Sequence, residues 1–255
     1  MSFVVAFVFG LAVGSFLNVC IYRIPRDISI VSPASSCPSC KIKIKPWDNI
    51  PLLSYLILGG RCRGCGARIS LRYPAVELLN GLAYLVIMWR YGPSLEGLVF
   101  MIYFSALIVI TFIDLDFQII PDPITIPGSV IGLILGVFLL SDPFNRSLQL
   151  GPVQSIAGLF LGFGLFYVIA VLSRGGMGGG DIKMMAMVGA LTGWKGVFLT
   201  TFIGSLTGAL IGVVLMVLKG RGRKSKIPFG PFLALGSAIT ILFGEEILKL
   251  YLRSL

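Results

Sequence analysis

Two of the eleven acidic residues in this chain stand where an unneeded charge would be expensive. Asp114 closes an apolar run at Ile113-Asp114-Leu115-Asp116, and Asp181 ends the glycine stretch Gly178-Gly179-Gly180-Asp181 between two further apolar runs. Ionisable residues bordering such segments are functional candidates by default. Two carboxylates held close cannot both ionise readily, so one keeps its proton. The pair can then activate water as a base while donating a hydrogen bond to a carbonyl as an acid. That is peptide hydrolysis without a covalent intermediate. It also suits a chain with no histidine, which excludes Ser-His triads, Cys-His pairs and His-ligated catalytic zinc.

The other acids carry less chemistry. Asp122, before Pro123 and a long apolar run, reads as a helix N-cap with proline at the first helical position. Asp116 lies two positions from Asp114 and would point to the opposite side of a helix. Glu245 and Glu246 near the end of the last apolar run can snorkel to water. The glycines before Asp181 permit a strained turn or leave room for an extended peptide backbone. No phosphate-loop pattern is completed there. Lys183 reads as a marker of the membrane interface.

Four of the five cysteines form two C-x-x-C knuckles, Cys37-Pro38-Ser39-Cys40 and Cys62-Arg63-Gly64-Cys65. They offer four soft ligands to one tetrahedral metal in a loop too small for a core of its own. A redox pair is the second reading, disfavoured if the loop is cytosolic. Cys20, within the first apolar run, is expected to be a small buried hydrophobe.

The elements that must position these groups are membrane helices. Hydrophobic residues make up 56% of the chain and charged residues 13%, and mean hydropathy is +0.94. Such values belong to a polytopic membrane protein. About eight spans are expected: Phe3–Tyr22, Ala75–Trp89, Leu95–Ile113, Pro123–Leu140, Ile156–Leu172, Ile182–Thr192, Gly196–Leu218 and Phe229–Tyr251, an all-α architecture. The division that follows is a first span at 1–22, a tetracysteine loop domain at 23–73 and a transmembrane core at 74–255. The net charge of +10 does not point to nucleic acid here, because the basic residues cluster in loops beside apolar runs. With both termini outside, most lysines and arginines fall inside, including nine from Arg23 to Arg72 and five in Lys219–Lys226. That last run is an orientation signal first and a site for anionic membrane lipid second. On this topology Asp114 and Asp181 share the inner face.

The sequence resembles the type IV prepilin peptidases, bacterial membrane aspartyl peptidases. The likeness runs in order through Gly14-Ser15-Phe16-Leu17-Asn18-Val19, Tyr22-Arg23-Ile24-Pro25, and the tetracysteine loop with Asp48-Asn49-Ile50-Pro51. It continues through Arg72-Tyr73-Pro74 with Val76-Glu77, the Asp114 to Asp122 stretch, Gly178-Gly179-Gly180-Asp181 with Lys183, and Pro228-Phe229-Gly230-Pro231. The resemblance implies an inner-membrane enzyme that cuts the basic leader of prepilins or pseudopilins after a glycine, at the cytoplasmic face. It then N-methylates the new N-terminus with S-adenosylmethionine. It implies Asp114 and Asp181 as the catalytic pair, zinc at Cys37, Cys40, Cys62 and Cys65, and Asp48, Asn49 and Glu77 as residues for the methyl donor. Oligomeric state is not legible. A carboxylate-dependent transporter and a presenilin-like intramembrane protease are the alternatives. The first calls for repeated halves and acids near mid-bilayer. The second gives no reason for the tetracysteine loop.

Overall fold

The computed structural model describes residues 2–173, 176–219 and 227–253. Eight α-helices lie within them: α1 (Phe3–Arg23), α2 (Leu53–Ile57), α3 (Arg72–Tyr91), α4 (Leu95–Phe117), α5 (Asp122–Phe138), α6 (Gly151–Leu172), α7 (Gly179–Lys219) and α8 (Gly230–Arg253). The chain forms two compact units, Met1–Val109 and Ile110–Leu255, with the boundary inside α4.

Among the described residues, five helices are long and apolar enough to cross a membrane: Phe3–Arg26, Leu95–Phe117, Gly151–Leu172, Gly179–Leu218 and Gly230–Arg253. Helix α5 is apolar but only 17 residues long, and α3 carries Arg72, Glu77 and Arg90. The expected sixth and seventh spans are the two arms of α7, separated at Gly193 by a non-helical backbone with φ 72° and ψ 179°. The arms meet at a sharp bend. A Cβ on Gly189 would lie 2.9 Å from Val197 Cγ2, whereas eight residues along a straight helix rise about 12 Å. Exposed Phe160, Phe202, Val217 and Leu218 would be aggregation-prone in water. Against lipid they are the natural outer surface.

In the first unit α1 packs along α3, and polar side chains fix the contact. Asn80, fully buried, donates to the Gly10 carbonyl at 2.7 Å and accepts from Ser105 at 2.9 Å, while Asn18 donates to the Tyr73 carbonyl at 3.1 Å. Such bonds satisfy polar groups that lipid cannot. Cys20 is buried as expected.

In the second unit α7 is the hub, packing against α5, α6 and α8. Glycines permit this closeness: a Cβ on Gly158 would collide with the Gly189 carbonyl and the Gly193 backbone. Ser155 of α6 donates to the Ala190 carbonyl at 2.6 Å. A hairpin unannounced by the sequence pattern, β1 (Ser141–Asp142) with β2 (Asn145–Gln149), closes the end opposite Asp181. There Asp142 is buried and accepts from Phe144 N at 2.9 Å, with Lys195 Nζ at 3.8 Å. Arg146 donates to the Ile241 and Leu242 carbonyls of α8, each at 2.8 Å.

Candidate active site and thiolate centre

Helix α4 continues beyond its expected end, so Asp114 lies inside the helix and not at its close. Asp114 is 5% exposed and Asp116 is exposed, as the helical period requires. Asp114 Oδ2 accepts the backbone N–H of Gly230, the first residue of α8, at 2.9 Å. Asp181 is 8% exposed and belongs to the first turn of α7, because the helix begins at Gly179. Its Oδ2 reaches back to accept Gly178 N–H at 3.3 Å, satisfying one of the orphan donors at the helix start. Each carboxylate therefore commits one oxygen to a glycine N–H, and the other has no partner among the described residues.

Ile120 lies beside Gly180, the residue before Asp181, and beside Gly230, the donor to Asp114. A Cβ on Gly230 would be 2.7 Å from Asp114 Oδ2 and 3.3 Å from Ile120 Cδ1, and one on Gly180 would be 2.7 Å from Ile120 Cβ. Glycine at 180 and 230 is thus a requirement of space. Pro228-Phe229-Gly230-Pro231 was visible in the sequence as a motif without a role; its signal was a glycine at a proline-marked helix start.

Asp122 is not an N-cap. Pro121 occupies that position, Asp122 is the first helical residue, and its carboxylate takes Lys183 Nζ at 2.7 Å. The pair joins the starts of α5 and α7. Arg174 and Gly175 of the opening glycine stretch, and Gly220–Lys226 of the basic run, lie outside the described residues.

The thiolate centre is in the first unit. The Sγ atoms of Cys37, Cys40, Cys62 and Cys65 all lie within 4.8 Å of one another, with Cys37–Cys65 at 3.9 Å and Cys40–Cys62 at 4.0 Å. Tetrahedral zinc with bonds of about 2.3 Å separates its sulfurs by about 3.8 Å, so the donor set fits that ion. The knuckles are two copies of one turn, 25 positions apart in the chain. Cys37 N–H donates to the Ile42 carbonyl at 3.0 Å and Cys62 N–H to that of Ala67 at 2.8 Å; Lys41 and Gly66 both take positive φ. Backbone N–H groups of Cys40 and Ser39 donate to Cys37 and pull its thiol down to about 6, favouring the metal-binding thiolate.

Asp48, Asn49 and Glu77 line one cavity of about 720 Å³ in the same unit, with Tyr22, Tyr55 and Tyr73. Asp48 is gripped by Arg63 at 2.7 Å, and this hydrogen bond holds its carboxyl below the usual carboxylate range. Buried Glu77 accepts Leu52 N–H at 2.9 Å and the Ser15 hydroxyl, and makes no ion pair among the described residues. A buried carboxylate with only neutral partners suits a cationic ligand. The aromatic walls suit a planar base, and Arg23, Lys41, Lys43, Lys45, Arg63 and Arg68, which also line the cavity, suit the anionic end of a ligand.

Residues 8–91 match the bacterial peptidase A24 N-terminal domain, and residues 101–213 match the type IV leader peptidase family. A prepilin leader peptidase/N-methyltransferase of Pseudomonas putida is 38% identical over 95% of this chain and 91% of its own length. One of Pseudomonas aeruginosa is 36% identical over 96% and 91%, and one of Aeromonas salmonicida 35% identical over 100% and 95%. No solved structure matches the chain. Likeness of this extent, running through both matched segments, makes the chain a member of the type IV leader peptidase family.

Proposed function

We infer that this protein is a membrane aspartyl endopeptidase that removes the leader of type IV prepilins or pseudopilins and N-methylates the new N-terminus. The observation that carries the peptidase is the placement of Asp114 and Asp181, each buried and each held by one glycine N–H. With one proton between them, the ionised carboxylate takes a proton from water while the other donates to the scissile carbonyl.

For methyl transfer, S-adenosylmethionine would be held by Glu77, Asp48 and Asn49 in the first-unit cavity, where it supplies an electrophilic methyl group. Glu77 contributes the negative charge facing the sulfonium, and Arg63 orients Asp48. Zinc on the four cysteines would hold the loop that forms the cavity wall. The protein is a multi-pass inner-membrane protein. The positive-inside distribution supports a cytoplasmic active site and outer termini.

Asp114→Asn and Asp181→Asn are each expected to lower leader cleavage by roughly 10²–10⁴-fold or more, while methylation of a pre-cut peptide continues. Mass spectrometry of a prepilin incubated with the full chain and methyl donor reads both products. Full cleavage by both variants would refute the dyad.

A further inference from the structure

Beside the large cavity of the first unit lies a second one of about 440 Å³, running along α1. Its body is apolar, formed by Ala12, Phe16, Ile30, Val31, Pro33 and Ala34. Its polar residues are Ser15, Arg23, Ser35 and Asn49, and every one of them also lines the large cavity. The groove is therefore greasy along its length and polar only where it meets the methyl-donor site. Arg23 is already engaged, donating to the Ser29 and Pro33 carbonyls at 2.8 and 2.6 Å, which shapes the loop opposite α1. Ser15 bonds to Glu77, whose carboxylate has no cation of its own among the described residues. Helix α1 is an apolar membrane span, with Phe16 48% exposed.

We propose that this groove is the methyl-acceptor subsite, taking the apolar N-terminal residue of the cleaved chain with its ammonium at the wall of Ser15 and Asn49. The proposal rests on the methyltransferase reading above. Three features select this occupant. An apolar side chain fits the body of the groove. An amino group finds hydroxyl and amide oxygens at the wall, where the Arg23 guanidinium is tied to the Ser29 and Pro33 carbonyls and the Glu77 carboxylate stands behind Ser15. A chain whose remainder is a membrane helix would enter along α1 without leaving lipid.

The test uses the purified full chain in detergent and a synthetic peptide beginning with phenylalanine followed by an apolar helix sequence. Binding is measured without methyl donor, for the free amine and for the N-acetylated form, beside binding of S-adenosylhomocysteine. Ala12→Trp and Ala34→Trp should fill the groove and weaken the free-amine peptide at least about tenfold, leaving S-adenosylhomocysteine within about twofold. Acetylation should weaken binding to the wild type by a similar factor. Retained leader cleavage and zinc content show that the variants are folded. A third variant, Ser15→Ala, leaves the groove open and should reduce the preference for the free amine. Unchanged peptide binding in both tryptophan variants would overturn the proposal, as would selective loss of S-adenosylhomocysteine, which would assign the groove to the donor. A wild type that binds S-adenosylhomocysteine but not the peptide refutes the acceptor subsite alone. A wild type that neither binds it nor transfers methyl groups refutes the underlying activity.

Discussion

At the scale of single residues, the four cysteines and Asp48 make the sharpest claims. Purified protein should carry about one zinc per chain, and Cys37→Ser or Cys62→Ser should release it. Because the ligands must be thiolates, acid should release it too. Metal analysis across a pH series checks both, and stable metal-free protein would refute the site. Asp48 has a sign that can be worked out. Its folded pKa is depressed by the Arg63 hydrogen bond. The contribution of this bond is complete above the unfolded value near pH 4, and it is lost as pH falls through the lower folded value. Trp47 is its neighbour in the chain and is exposed, so tryptophan fluorescence should report a step below about pH 4. Arg63→Gln should move that step upward, and an unmoved step would show that Arg63 does not hold Asp48.

At the scale of elements, the start of α8 is a positioning device for Asp114. Gly230→Ala keeps the backbone donor but sets a methyl group 2.7 Å from the carboxylate oxygen. Displacement of a reacting group by about 1 Å costs roughly 10²-fold, so kcat for leader cleavage should fall by about that factor, with a shifted pH profile. Gly236→Ala on the same helix is the control. It meets the Thr200 carbonyl at 2.6 Å, far from either aspartate in sequence, and should loosen packing without moving the pH profile. Equal pH profiles for both variants would reduce Gly230 to a packing residue. The helices themselves were legible from apolar run length, and the α7 break at Gly193 falls between the expected spans Ile182–Thr192 and Gly196–Leu218. The hairpin at 141–149 was not, because its five-residue strand alternates poorly and is mostly exposed. Asp122 misled as a cap because Asp-Pro reads locally, whereas Lys183 lies 61 positions away. The donor at Gly230 was equally remote, 116 positions from Asp114. Local chemistry marks candidates, and only tertiary structure supplies their partners.

At the scale of the whole molecule, the residues proposed for the two chemistries belong to separate compact units, cavity and cysteines in one and aspartates in the other. They should therefore be separable. Cys37→Ser should abolish methylation of a pre-cut peptide more severely than Asp181→Asn does, and Asp181→Asn should do the reverse for cleavage. Assaying both reactions on both variants checks this, and parallel losses would show that the units work as one. The matched family segments, 8–91 and 101–213, divide at nearly the same place as the fold.

The break at Gly193 has a consequence for how water reaches the peptide bond. The arm from Gly179 to Thr192 has about 14 residues and rises about 21 Å, roughly 9 Å less than the hydrocarbon core of a bilayer. With its Gly193 end at one interface, its other end stops short of the opposite one. Asp181, in the first turn of that arm, would then lie below the headgroups at the foot of a dip in the membrane surface. A hydrolytic pair there would draw its water down from one face of the membrane.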